Sequence, residues 1–127
     1  MLNENDVHVD VAVSNLMASR KFYEEKLGFK VARERDHEVY YKSGDSIFKI
    51  YQSPFAGTNK ATNASWEVSD VVSAVTELKS SGINFEHYEI PGVTHEGDVH
   101  VWGKVRAAWF KDPDGNIFCV GNGLSAE

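Results

Sequence analysis

The sequence predicts an α+β fold in which two βαβββ modules pair into a curved, cup-like sheet. Two observations carry this expectation. A strand–helix–strand pattern closed by a glycine occurs twice, and each occurrence is followed by a Gly/Asx turn and a further apolar strand. One four-stranded layer with a single helix leaves apolar surface uncovered, so the two copies are expected to pack together. The 127 residues are read as one domain, 1–127, with internal repeats at about 6–56 and 60–122.

The first copy opens with His8-Val9-Asp10-Val11-Ala12-Val13, whose period of two marks a strand with one apolar face. Ser14 and Asn15 offer helix-capping oxygens, Leu16, Phe22, Tyr23 and Leu27 form an apolar stripe, and Gly28 ends the helix. Phe29-Lys30-Val31 resumes extended structure. The second copy lies 55 residues on: Asn63 to Val68 alternates, Asp70 caps, Val71, Ala74, Val75 and Leu78 form the stripe, and Gly82 stops it. The turns Lys42-Ser43-Gly44-Asp45 and Asp112-Pro113-Asp114-Gly115-Asn116 each precede an apolar strand, now at an offset of 70. The second copy therefore holds about 15 extra residues, read as a long functional loop over Pro91 to Lys104.

Composition narrows the function. The net charge is −6 and the 13 Lys and Arg residues are scattered, which argues against a nucleic-acid partner. No apolar run approaches the roughly 20 residues that span a bilayer, so no membrane role is expected. The polar, acidic start, Met1 to Asp6, is unlike a signal peptide, and a single cysteine, Cys119, forms no internal disulfide. A cytoplasmic location is the expectation.

Three segments carry a resemblance: His8 to Leu16, Ser19 to Phe29 (Ser-x-x-Phe-Tyr…Leu-Gly-Phe), and Ala108 to Asn116 (Phe-x-Asp-Pro-x-Gly-Asn). With these the chain resembles the glyoxalase/bleomycin-resistance family, or vicinal oxygen chelate superfamily, over nearly its whole length. The motifs are helix and turn residues, so they speak to fold more than to activity. Metalloenzymes of the family hold a divalent metal with His and Glu ligands from the first and last strand of each repeat. By motif position these ligands fall on His8, Lys49, Asn63 and Cys119. Only the first is retained, and an ammonium in a ligand seat repels a dication. No metal or other cofactor is therefore expected, and the resemblance implies a cup without an ion, in a homodimer.

Alternation assigns the candidate ligand-binding residues. His8, Asp10, Lys49, Tyr51, Asn63, Glu67 and Cys119 fall on the strand faces opposite the valine-rich layer. Trp102 joins them from the long loop, which reads either as a lid whose His100 and Trp102 stack on a planar ligand or as an ordered closing loop. No catalytic residue is assigned unless His8 is one, and its alternative is a histidine bonded to a neighbouring strand. Lys49 either binds an anion, pairs with Glu67 or Asp10, or forms a Schiff base. Cys119 reads as a small buried hydrophobe or a nucleophile. Trp66 and Trp109 read as core or interface residues.

Three functions follow: a metal-free binder of a small molecule, of the kind that sequesters a drug or metabolite; a lyase, isomerase or dioxygenase-like enzyme with a degenerate metal site; or a structural or regulatory module whose cavity is filled by its own side chains. The first ranks highest on the altered ligand set.

Overall fold

Val9–Val13 (β1) alternates as its sequence requires, with Val11 and Val13 buried and Asp10 exposed. In the computed structural model, which describes residues 1–127, it opens the first of two units, Met1–Thr58 and Asn59–Glu127. The fold is α+β, with two sheets and few helices.

In the first unit Asn15 Oδ1 accepts the Ala18 N–H at 3.1 Å and starts the helix Leu16–Lys21 (α1). The expected stripe continues to Leu27, but the last turn, Phe22–Lys26, is a π turn closed by the Leu27 N–H on the Phe22 carbonyl. The wider turn buries the adjacent Phe22 and Tyr23 together. Gly28, at φ +75°, then reverses the chain in a conformation few L-residues adopt. Strands Lys30–Arg35 (β2), Glu38–Ser43 (β3) and Ser46–Gln52 (β4) complete a sheet of order β1–β4–β3–β2. β1 and β4 are parallel, and the other pairs are antiparallel. Tyr23, Phe29, Tyr41 and Phe48 form one aromatic cluster, with ring centroids 5.2–6.3 Å apart. Such pairs contribute about 0.5–1.5 kcal/mol each beyond their buried area. β2 is exposed throughout and carries Lys30, Arg33, Glu34 and Arg35, charges that discourage pairing at an open edge.

The second unit repeats the plan: Thr62–Glu67 (β5), then Val71–Ser80 (α2), capped by Asp70 Oδ1 on the Ser73 N–H at 3.0 Å. Phe85–Glu86 (β6) is only two residues long. The segment read as a loop over 91–104 instead holds a hairpin, Thr94–Glu96 (β7) and Val99–Trp102 (β8), turning at Gly97-Asp98. The eight strands expected are therefore ten. Three- and four-residue strands are too short to show a readable period, which is why the hairpin looked like a loop. Val105–Lys111 (β9) and Ile117–Gly121 (β10) follow, in the order β5–β10–β9–β8–β7. β6 and β8 both pair with β9, so the hairpin extends an edge that β6 leaves mostly open. α2 packs on β8, β9 and β10, and Trp66, Phe110 and Phe118 lie in contact beneath it. No helix is long and apolar enough to cross a membrane.

The Asp112–Asn116 turn is knotted by one buried carboxylate. Asp112 Oδ1 accepts the Asp114 and Asn116 N–H groups at 2.9 and 2.8 Å, and Oδ2 accepts the Asn116 amide at 2.8 Å. Asp112→Ala leaves buried donors unmatched and is expected to cost about 2–3 kcal/mol in urea unfolding, whereas Asp114→Ala costs less than about 1 kcal/mol.

Candidate functional site

The first unit presents a charged face opposite its apolar layer. Parallel pairing of β1 with β4 sets Asp10 directly beside Lys49. Lys49 Nζ lies 3.4 Å from Asp10 Oδ1 and 3.7 Å from Glu38 Oε2. It also sits 5.4 and 5.7 Å from the ring centres of Tyr40 and Tyr51, contacts worth about 0.5–2 kcal/mol. Burial alone would lower the lysine pKa, but Asp10, Tyr40 and Glu38 outweigh it and raise it. Lys49 is thus a held ammonium. Its anionic partners are Asp10 and Glu38. A Schiff base needs the free amine, which this setting opposes.

His8 Nε2 approaches the same carboxylate oxygen, 3.3 Å from Asp10 Oδ1, and its ring meets Tyr40 edge-on at 6.0 Å. Its side chain is 42% exposed, so it reaches solvent. The result is an imidazole–carboxylate–ammonium row flanked by the rings of Tyr40 and Tyr51. It can bind an anion through Lys49, a cation through Asp10 or Glu38, and a ring against either tyrosine. Glu38 and Tyr40 were not among the sequence candidates. The signal was there, since buried Val39 and Tyr41 alternate with them.

The second unit treats its candidates differently. Asn63 Oδ1 accepts from the Asn59 amide at 2.9 Å, while its own amide donates to the Ile117 carbonyl at 3.5 Å. Glu67 accepts the Ser125 hydroxyl at 2.7 Å and the N–H groups of Ser125 and Leu124 at 3.0 and 3.1 Å. These bonds, the Ser125 hydroxyl first, hold its pKa below the usual carboxylate range and commit it to anchoring the C-terminal segment. Cys119 is 8% exposed, and burial pushes its thiol up to about 11 despite the Ser65 hydroxyl and the Ala108 backbone. It is a buried thiol, poorly suited to act as a nucleophile.

Aromatic residues dominate the face that β9 turns away from α2. Trp109 donates its indole N–H to Thr62 Oγ1 at 3.1 Å, stacks with Trp102 at 6.5 Å and meets Tyr88 edge-on at 5.6 Å. Trp66 and Trp109 are both half-buried and lie on opposite faces of the sheet: Trp66 stacks with Phe110 at 6.1 Å, whereas Trp109 pairs with Cys119 and Glu86 on the face away from Phe110. The lid reading of 91–104 also needs correcting. Trp102 is partly exposed, but His100 is fully buried and has no surface with which to stack on a ligand.

The residues at the family's metal positions make a poor donor set. Lys49 is a paired ammonium, the Cys119 thiol resists ionisation, and the Asn63 amide is engaged with backbone and side chain. No group of three or more His, Cys, Asp or Glu side chains is arranged to hold a metal ion.

The family model that matches is the Glyoxalase/Bleomycin resistance protein/Dioxygenase superfamily, over residues 7–120. The chain belongs to this superfamily. Among solved structures it is similar to a glyoxalase family protein from Enterococcus faecalis, at TM-score 0.72 and 23% identity, covering 95% of this chain and 99% of that one. A lactoylglutathione lyase from Agrobacterium tumefaciens aligns at TM-score 0.71 and 17% identity, covering 97% and 98%. A bleomycin-binding protein complexed with bleomycin aligns at TM-score 0.69 and 17% identity, covering 92% and 97%. At these identities the likeness is one of fold. No curated protein matches the chain.

The raised thiol has a consequence at alkaline pH. Unfolding returns Cys119 from about 11 to its ordinary 9.0, so the unfolded chain loses its proton first and stability falls as pH climbs through that window. Cys119→Ala is expected to remove up to about 2–3 kcal/mol of that alkaline loss, measured as the difference between variant and wild-type urea curves at each pH.

Proposed function

We propose that the chain is a metal-free small-molecule-binding protein of its superfamily, one that sequesters a bulky, ring-bearing drug or metabolite. The observation that carries this reading is Lys49, an ammonium held by Asp10 and Glu38 at a position where the family's metalloenzymes place a ligand. The partly exposed Trp102, backed by Trp109, supplies an aromatic surface of the kind that grips planar groups. A structural neighbour complexed with bleomycin makes that compound the first probe. The reading includes a homodimer in the cytoplasm, with no nucleic-acid or membrane partner.

A second reading, a metal-free enzyme using His8 as acid or base, is favoured by the His8–Asp10 approach of 3.3 Å. The lactoylglutathione lyase among the neighbours keeps a lyase within its scope.

Tryptophan fluorescence separates these. Metal-free bleomycin is expected to quench emission saturably, and Trp102→Ala to weaken binding at least about tenfold. Elemental analysis of the gently purified protein is expected to find no stoichiometric nickel, zinc, manganese or iron. Near-stoichiometric metal overturns the metal-free reading. Turnover of a glutathione hemithioacetal that His8→Ala abolishes, with affinity kept, favours the enzyme.

A further inference from the structure

The inserted hairpin gathers three histidines outside the face described for Lys49. His95 on β7 and His100 on β8 are directly opposed, and their rings meet edge-to-face with centroids 4.5 Å apart. His87, just beyond β6, stacks on His95 at 5.4 Å and lies 6.2 Å from His100. His100 is fully buried, and its Nε2 accepts the Tyr88 N–H at 2.9 Å, so its own proton resides on Nδ1. That Nδ1 and the Nε2 of His95 are both buried without a hydrogen-bond partner.

The charges around these rings leave little to balance a further proton. Asp98, at the hairpin turn, already takes His87 Nε2 and Lys79 Nζ from α2, each at 2.7 Å. Glu86 and Lys111 pair with each other at 3.2 Å, and their charges act on Tyr88 in opposite senses. From β9, Trp109 is in edge contact with His100 at 4.8 Å, and Ala107 opposes the same histidine in the ladder. Glu96 is opposed to Val99, so alternation turns it to the other face from His95 and His100. The Asp98 carboxylate is already shared with a lysine, so a proton on buried His100 would have no free carboxylate to match it.

We propose that the β7–β8 hairpin is an acid-released strap, held closed while His100 is neutral and opened when it takes a proton. Opening separates Trp102, at the end of β8, from Trp109. The sign follows from burial. Burial first, then His95 and His87, lower the His100 pKa from its ordinary 6.5, against smaller opposing contributions from the Ala107 and Asp98 backbone. The open hairpin therefore binds a proton more readily, and closure is complete above 6.5 and weakens as pH falls below it. One proton per opening changes the open-to-closed ratio about tenfold per pH unit.

Amide hydrogen exchange between about pH 7.5 and 5.5, corrected for the intrinsic rate, tests this. Protection over 94–102 is expected to fall about tenfold per pH unit below 6.5, while β3 and β4 keep theirs. A hairpin that loses no more protection than β3 and β4 overturns the proposal. His100→Gln retains an acceptor for the Tyr88 N–H but cannot titrate, and is expected to abolish the pH dependence. Dependence that persists in it overturns the proposal. Where that variant does not fold, imidazole NMR titration of the wild-type chain decides. His100 titrating below 6.5, in step with hairpin opening, supports the strap, and titration at 6.5 with the hairpin unmoved sinks it.

Discussion

Two parallel pairings, β1 with β4 and β5 with β10, join the first and last strand of each unit, and much of the molecule's chemistry depends on them. Parallel neighbours need a crossover, and in each unit the chain supplies one that begins with a capped helix. Once the register is set, the period of two divides every side chain between the helix-covered layer and the opposite face. Val11, Phe48 and Ile50 go to one side, and Asp10 and Lys49 to the other. A slip of one residue would bury the lysine among valines and expose the core, so the apolar layer enforces the polar one.

The two units use this shared plan for different ends. In the first, the exposed face concentrates charge: His8, Asp10, Lys49 and Glu38 lie within one connected set of contacts. In the second, Glu67 is spent on the C-terminal segment and Asn63 on a neighbouring carbonyl, so aromatic rings rather than charges dominate. The inserted hairpin is the largest departure from the repeat. It covers the edge that β6 leaves mostly open and brings its own histidines to β9.

Superfamily membership and binding chemistry rest on different residues. The motifs that mark the family, the Asn15-capped helix and the Asp112 turn, are structural, and their hydrogen bonds are internal. The positions where chemistry varies lie on strand faces, where a substitution such as lysine in place of a ligand leaves the pleat intact. That separation lets the fold persist at 17–23% identity to its structural neighbours while the site changes.

Local pattern was enough for the repeat, the two caps, the glycine stops and the strand faces, because each is a matter of period or of one residue's conformational freedom. Asp10 and Lys49 were legible as face-sharing residues for the same reason. Their joint contact with Glu38 was not, because it depends on where β3 lies against β4. Nor was the burial of His100 and Trp109's place on the face away from Phe110, which follow from short strands meeting β9 across a long chain separation. The sequence by itself determined which residues can share a face. The tertiary structure decided which of them touch, because register and burial are set by pairings that no local period encodes.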